Sequence, residues 1–177
     1  MLRWSLYLFA TLAGLVAIVL VIGWSLPVAH TASRTRVVAA PPDRVFVIVS
    51  DFARYPDWRT GVTRVTVTGD PGPGLAIQET ADYGDVPYRV ETWEAPTRLV
   101  TRIASADLPF GGTWTYDIHP DAGGGSRVTI TEHGEVYNVF FRFMARFVFG
   151  HTSTLDQYLT DLDAAVRGSS AAGRSRP

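Results

Sequence analysis

The segment that decides the fold is NVFFRFMARFVFGHTSTLDQYLTDLDAAVR, residues 138–167. Its apolar residues, among them Leu155, Leu159 and Leu162, recur close to the helical period of 3.6 residues. The pattern predicts one long amphipathic helix, with a kink at Gly150, where the helical pattern is interrupted. A helix with one apolar face has to bury that face against another layer of structure.

The preceding residues predict that other layer, because they form short strands separated by turn-forming sequences. Residues 113–118 (TWTYDI) alternate strictly between polar and apolar side chains, as a half-buried antiparallel strand does. The predicted strands are Arg34 to Ala40, Val62 to Thr68, Leu75 to Tyr83, Val86 to Glu94, Leu99 to Ala104, Thr113 to Ile118 and Arg127 to Val136. Two short helices, opening at Pro41 and Asp51, follow the first strand. The sequence therefore predicts an α+β domain in which the long helix covers an antiparallel sheet.

The N-terminal segment has a different composition from the rest of the chain. No charged residue occurs from Trp4 to Ala29, and 22 of residues 1–29 are hydrophobic. As a helix, Leu6 to Leu26 would be roughly 31 Å long, which matches the hydrocarbon core of a bilayer. A cleaved signal peptide is the alternative, but its apolar region is usually shorter and ends at a small-x-small site, which residues 27–33 provide only poorly. We therefore predict an uncleaved transmembrane helix.

The predicted organisation has four parts: a transmembrane anchor (1–29), a tether (30–34), one folded domain (35–167) and a disordered tail (168–177). The chain has 177 residues, with 16 basic against 17 acidic residues and a net charge of −1. This balance argues against nucleic acid as a partner, which needs a clustered basic surface. The positive-inside rule favours the cytoplasmic side of the cell membrane for the domain, since Arg34, Arg36 and Arg44 follow the anchor, whereas Arg3 and the terminal amine precede it.

Several chemistries are excluded or lack a motif. The chain contains no cysteine, which excludes disulfides, thiolate catalysis and cysteine-based metal sites. No histidine spacing suggests a metal, no Ser/His/Asp motif is evident, and no cofactor is indicated. The sequence thus carries no recognisable catalytic constellation, which favours a binding protein over an enzyme.

Two motifs near the start of the domain carry a resemblance to a known family. APPDRVF (residues 40–46) and DFxxYPxW (51–58) resemble the opening of polyketide cyclase/dehydrase-like members of the SRPBCC superfamily, which share the START-like helix-grip fold. The resemblance continues through GTWTY (112–116), GSRVT (125–129) and the closing helix. It implies a curved antiparallel sheet of about seven strands gripping the C-terminal helix, with an elongated apolar cavity between them. Members bind lipids, steroids, polyketides or hormones; some are cyclases or aromatases and others co-chaperones, so the resemblance implies a pocket rather than a reaction.

Two carboxylates fall on the apolar phase of predicted strands. Glu79 shares its phase with Ile77, and Glu132 shares its phase with Ile130. On a cavity wall, a carboxylate could orient a ligand hydroxyl or act as a general base. Alternatively, a bulge at Gly134 could turn Glu132 outward, or each glutamate could pair with a strand arginine.

Aromatic residues and the first part of the long helix supply the remaining candidates. Aromatic side chains with a polar tip suit a cavity for a partly polar ligand, although plain core packing is the alternative. The further ligand-binding candidates are Tyr88, Trp114, Tyr116, Phe140, Phe143, Met144 and Phe147. Residues 139–149 contain five Phe and only two charged residues, Arg142 and Arg146, which share a helix face. Either the Phe face packs on the sheet and the arginines meet solvent, or it lies at the cavity mouth or touches lipid while the arginines reach phosphate head groups.

These observations lead to three functional hypotheses. The first is a membrane-anchored module that binds a hydrophobic small molecule or lipid between sheet and helix. The second is a cyclase/dehydratase-like enzyme with Glu79 or Glu132 as acid or base. The third is a protein-interaction module that uses the Phe-rich helix.

Overall fold

The computed structural model of the protein describes residues 2–150 and 152–174. The first half contains α1 (Leu2–Ser25), β1 (Ala29–Val38), α2 (Pro42–Ser50), a 3-10 turn (Phe52–Arg54) and α3 (Tyr55–Trp58). Six strands follow: β2 (Val62–Thr68), β3 (Ala76–Ala81), β4 (Gly84–Glu94), β5 (Arg98–Ile103), β6 (Phe110–Pro120) and β7 (Ser126–Val136). The chain then forms α4 (Val139–Met144), a π-helical turn (Ala145–Phe149) and α5 (Ser153–Arg174).

The strands form one curved antiparallel sheet in the order β1-β7-β6-β5-β4-β3-β2. Strands β2 to β7 follow each other as neighbours, and β1 joins the free edge of β7. The predicted α+β architecture, a seven-stranded sheet gripping a C-terminal helix, is confirmed.

The core lies between this sheet and α5. Leu155, Leu159 and Leu162 of α5 are fully buried, as are Ile118 and Ile130 on the sheet. Each such side chain contributes about 1.5–3 kcal/mol of hydrophobic stabilisation. The apolar face predicted for residues 155–166 is therefore the face that closes the domain.

The first strand begins earlier than the sequence predicted. It starts at Ala29 instead of Arg34, and it pairs with β7 from Ala29 opposite Glu135 to Val38 opposite Ser126. The predicted tether, residues 30–34, is thus part of the sheet. Its polar residues do not resemble a strand, but the open edge of β7 satisfies their backbone N–H and C=O groups. As a consequence, only three residues separate α1 from the domain.

The long C-terminal helix is divided at the predicted position and ends later than predicted. Gly150 has a φ of 73°, a left-handed conformation that glycine adopts readily, and it separates the π-helical turn from α5. Helix α5 then continues to Arg174, so residues 168–174, predicted as part of a disordered tail, are helical. Adding residues to an existing helix costs far less than nucleating one, which favours this extension. Residues 175–177 of the predicted tail lie outside the described residues.

Helix α1 is long and apolar enough, by length and composition, to cross a membrane, and most of its side chains are exposed. Its C-terminal end packs on α4. Gly23 is buried there, and a Cβ atom at this position would overlap the carbonyl oxygen of Val139. In addition, Arg142 Nη1 donates a hydrogen bond of 2.9 Å to the carbonyl oxygen of Leu26. Helix α4 is therefore attached to the end of α1.

Candidate functional site

A cavity of about 340 Å³ lies between the concave face of the sheet and the start of α5. Every element of the sheet except β2 contributes to its wall, together with the 3-10 turn and α3. The lining residues are His30, Phe52, Tyr55, Arg59, Ile77, Glu79, Tyr83, Tyr88, Thr101, Ile103, Phe110, Gly111, Trp114, Tyr116, Glu132, Gly134, Glu135, Val136 and Thr154. Most of the wall is apolar or aromatic, with a few carboxylates and phenols.

Five of the nine sequence-predicted site residues line this cavity. They are Glu79 on β3, Tyr88 on β4, Trp114 and Tyr116 on β6, and Glu132 on β7. Because successive side chains of a strand point to opposite faces, their shared apolar phase places them on the concave face. The pairing of β6 with β7 is continuous through Gly134, so no bulge turns Glu132 outward.

The other four candidates, Phe140, Phe143, Met144 and Phe147, do not line this cavity in the described structure. They lie on α4 and the π-helical turn, which the break at Gly150 separates from α5. Phe147 is 59% exposed, and its ring centroid lies 5.0 Å from that of Phe143. Helix α4 packs mainly on α1 and only marginally on the sheet, at β7, so a ligand role for these four residues stays a prediction.

The polar centre of the cavity is a buried ion pair. Arg59 Nη1 donates a 2.6 Å hydrogen bond to Glu79 Oε2, and the two side chains are only 12% and 2% exposed. Tyr83 Oη donates a short hydrogen bond to the other carboxylate oxygen. Both oxygens of Glu79 are therefore already occupied. The partner is not a strand arginine, as the sequence alternative had it, but a residue of the loop after α3.

The surroundings of this ion pair hold its charges and protons in place. Burial lowers the pKa of Arg59, but Glu79 and the neighbouring phenols raise it more, so the net shift is upward. The guanidinium also lies 4.8 Å from the ring centroid of Tyr55 and 4.9 Å from that of Tyr158, a cation–π arrangement. Burial, followed by the charge of Glu79, raises the pKa of Tyr83 to about 12. Tyr83 therefore stays a hydrogen-bond donor at neutral pH.

Glu132 has a different environment from Glu79. Its side chain is 23% exposed, and no arginine forms an ion pair with it in the described structure. Burial raises the pKa of this carboxyl, and a hydrogen bond from Trp114 offsets part of the shift. His30 Nε2 lies 3.9 Å from Glu132 Oε1. The imidazole packs directly on Gly134, where a Cβ atom would collide with it. Glu132 is consequently the cavity carboxyl best suited to exchange a proton.

Aromatic residues pack around the inner end of the cavity. Tyr158 of α5 lies at ring-centroid distances of 5.3 Å from Trp58, 5.4 Å from Tyr116 and 5.9 Å from Trp114. Burial raises the pKa of Tyr116 and of Tyr158 well above the ordinary value, so both remain neutral donors. Of this cluster, Trp114 and Tyr116 line the cavity, whereas Trp58 and Tyr158 pack behind them.

Sequence reasoning missed seven polar residues of this cavity, of which Arg59, Tyr83 and His30 contact the two predicted carboxylates. Tyr83 had a usable signal, since it shares the alternating phase of Ile77 and Glu79. Arg59 and His30 had none, because they lie in segments without periodicity and reach the site only through tertiary contacts. Among residues 2–150 and 152–174, no group of three or more His, Cys, Asp or Glu is arranged to hold a metal ion.

Comparison with known proteins identifies a family whose sequence profile covers most of this chain. The sequence profile of the family described as polyketide cyclase / dehydrase and lipid transport matches residues 29–167. The matched region begins with β1 and ends within α5, so it contains every residue of the cavity wall. No curated protein matches the sequence.

Solved structures share the fold at low sequence identity. Norcoclaurine synthase from Thalictrum flavum superposes with a TM-score of 0.65 at 14% identity, covering 82% of this chain and 98% of that one. A START superfamily protein from Mycobacterium smegmatis gives 0.61 at 18% identity, covering 78% and 98%. The di-domain ARO/CYC StfQ from the steffimycin biosynthetic pathway gives 0.64 at 12% identity, covering 81% of this chain and 53% of that one. At these identities the similarity concerns the fold alone.

Proposed function

Because the chain belongs to the polyketide cyclase / dehydrase and lipid transport family, we propose that it binds a hydrophobic small molecule or lipid between its sheet and α5. The observation that carries this proposal is the cavity of about 340 Å³, whose wall is largely apolar and aromatic. Pockets of this size and lining suit ligands that bury most of their surface. We further propose that α1 anchors the domain on the cytoplasmic side of a membrane. The anchor would keep the domain close to hydrophobic ligands, which are concentrated in the bilayer.

The polar groups of the cavity indicate the kind of ligand. Both carboxylate oxygens of Glu79 already accept hydrogen bonds, one from Arg59 and one from Tyr83. The ion pair therefore forms part of the cavity wall and is not the expected hydrogen-bond partner of a ligand. The Tyr88 hydroxyl already hydrogen-bonds Tyr83. Glu132, whose pKa burial raises, remains to bind a polar group of a ligand: its carboxylate accepts from a hydroxyl, and its protonated form donates to a carbonyl. The expected ligand is therefore mainly apolar and carries one or two polar groups.

Native mass spectrometry of the full chain titrated with hexadecanol tests this function. We expect one hexadecanol to bind per chain. In I103W the larger indole would occupy part of the cavity, and a loss of about 1.4 kcal/mol in binding free energy would weaken hexadecanol binding about tenfold. Ile103 lines the cavity, whereas Val100 lies on the opposite face of β5, so V100W is the matched control. Equal binding by the wild type and I103W, or a wild type that binds no hexadecanol, would contradict the proposal.

A second candidate function is acid–base catalysis on a hydrophobic carbonyl substrate. The observation that favours it is Glu132, a half-buried carboxyl with a raised pKa beside Trp114 and His30. A carboxyl whose pKa moves towards neutrality is a more effective general base. With a poly-β-ketone thioester mimic as substrate, E132Q should abolish any cyclisation that the wild type performs, while E91Q, on an exposed strand position, should not. Turnover that survives in E132Q would contradict this assignment.

A further inference from the structure

A second cleft, of about 300 Å³, lies where α1 meets the domain. Its wall contains the chain between α1 and β1, the end of β7, and the two arginines of the Phe-rich segment. The lining residues are Leu26, Pro27, Val28, Ala29, His30, Val136, Arg142 and Arg146. The described wall thus contains two guanidinium groups and no carboxylate.

The charges of these two arginines are not neutralised within the described structure. Arg142 donates to two backbone carbonyls, of Leu26 at 2.9 Å and of Tyr137 at 3.4 Å, but its Nε atom is buried without a partner. Arg146, one turn further, is exposed and forms no ion pair among the described residues. A buried donor without an acceptor is costly, so an acceptor from outside the chain would stabilise this arrangement.

The position of the cleft indicates which acceptor is available. It opens directly after Ser25, the last residue of the candidate membrane span. Trp24, next to the end of the span, is 77% exposed, and Phe140, Phe141 and Phe147 of the segment that carries the two arginines are exposed as well. Aromatic side chains at the end of a span are typical of the interface, the depth at which lipid phosphates lie.

From these observations we infer that the cleft binds the phosphate head group of an anionic membrane lipid through Arg142 and Arg146. A guanidinium presents N–H donors in a planar fork that matches phosphate oxygens. The inference rests on the proposed anchoring by α1, and it deepens the proposed function. His30 and Val136 line both the cleft and the main cavity, so a lipid held here lies beside the cavity in which a hydrophobic ligand is proposed to bind.

The test uses the full chain in nanodiscs of phosphatidylcholine and phosphatidylglycerol, released and weighed by native mass spectrometry. We expect the wild type to retain one phosphatidylglycerol in preference to phosphatidylcholine. R146Q should retain about fivefold less, the effect of one basic residue near an anionic surface, and R142Q/R146Q less again. The matched control is R44Q/R64Q, which removes two exposed arginines of α2 and of β2, the strand at the opposite edge of the sheet.

Equal retention of phosphatidylglycerol by the wild type, R146Q and R142Q/R146Q would overturn the inference, and so would equal retention of the two lipids. R146Q alone decides the result if the double variant fails to fold, because Arg146 holds no other described residue in place. Hexadecanol binding is measured on the same samples. A wild type that binds no hexadecanol would contradict the proposed function of the main cavity. A wild type that binds hexadecanol but does not prefer phosphatidylglycerol would contradict only the proposed role of the cleft.

Discussion

Glu79 is the most constrained polar side chain of the cavity, because it is buried and accepts from both Arg59 and Tyr83. Replacing it by Gln would leave the Arg59 guanidinium buried without a counter-charge. We expect E79Q to lower the free energy of unfolding by about 3 kcal/mol, at the lower end of what breaking a buried ion pair costs. Chemical denaturation of the full chain in detergent, followed by near-UV circular dichroism, measures this loss.

An exposed ion pair provides the control for that experiment. Glu91 pairs with Arg102, and the two side chains are 38% and 50% exposed. Solvent screens such a pair, so E91Q should cost less than about 1 kcal/mol. Similar losses of unfolding free energy in E79Q and E91Q would contradict the larger effect expected for the buried pair. In R59M/E79Q, which removes both charges, we expect a smaller loss than in E79Q, since no unpaired charge remains.

The raised pKa of Glu132 predicts a particular dependence of stability on pH. Between its ordinary pKa of 4.5 and its raised pKa, the folded protein binds a proton that the unfolded chain has released. Stability therefore falls as the pH rises through this interval, because the folded state must then bury a charge. We expect E132Q to remove this decline and to raise Tm at neutral pH, measured by thermal denaturation between acidic and neutral pH. E91Q, which removes one charge from an exposed site, should follow the wild type. An E132Q profile that parallels the wild type would contradict the shift.

Glu79 and Glu132 show which properties of a single residue the sequence predicted and which it did not. The alternating phase predicted that Glu79 and Glu132 share the apolar face of their strands. It could not predict that Arg59 pairs with one of them and that His30 approaches the other. Both contacts join residues that are distant in the chain, and only the assembled sheet brings them together.

At the scale of elements, the contact between α1 and α4 depends on Gly23. A Cβ atom there would overlap the Val139 carbonyl oxygen, whereas one at Gly14 would meet nothing within 4 Å. We expect G23A to separate the two helices and to increase deuterium uptake across residues 139–149, although alanine favours a helix by about 1 kcal/mol over glycine. Hydrogen–deuterium exchange of the full chain in nanodiscs measures this.

G14A is the matched control, since it makes the same chemical change in the same helix without a neighbour. Its exchange across residues 139–149 should equal that of the wild type. Unchanged exchange in G23A, or an equal rise in G14A, would mean that Gly23 does not hold the helices together.

The elements themselves were predicted with uneven success. Six strands were located well because their alternating patterns are local and bounded by turn residues. The start of β1 was missed, since residues 30–34 become a strand only by pairing with β7. Likewise, Gly150 signalled an interruption, but whether the helix would bend or divide depended on where α4 could pack, and it packs on α1.

At the scale of the whole molecule, the proposed anchoring depends on the apolar length of α1. We expect the wild type to stay with membranes through alkaline carbonate extraction and L12R/V16R to be released, because each central arginine adds about 3 kcal/mol to the insertion free energy. Immunoblotting of pellet and supernatant measures the distribution. V37R/V47R, which places two arginines at exposed apolar positions of the domain, should remain in the pellet.

The mass of the intact chain completes this experiment. A membrane-bound chain that retains residues 1–29 is the expected result. A mature chain that lacks them would identify the segment as a cleaved signal peptide. Release of the wild type by carbonate would contradict a spanning helix.

The sequence by itself determined the α+β class, the sheet-covering face of α5 and the apolar N-terminal helix, because periodicity and length are local properties of a chain. Only the tertiary structure decided which polar groups meet in the cavity and that Phe140, Phe143, Met144 and Phe147 lie apart from it. It also placed Arg142 and Arg146 in the wall of a cleft beside the residues that follow α1. These arrangements depend on strand pairing and on the close approach of helices, which satisfy backbone and charged groups across long sequence separations.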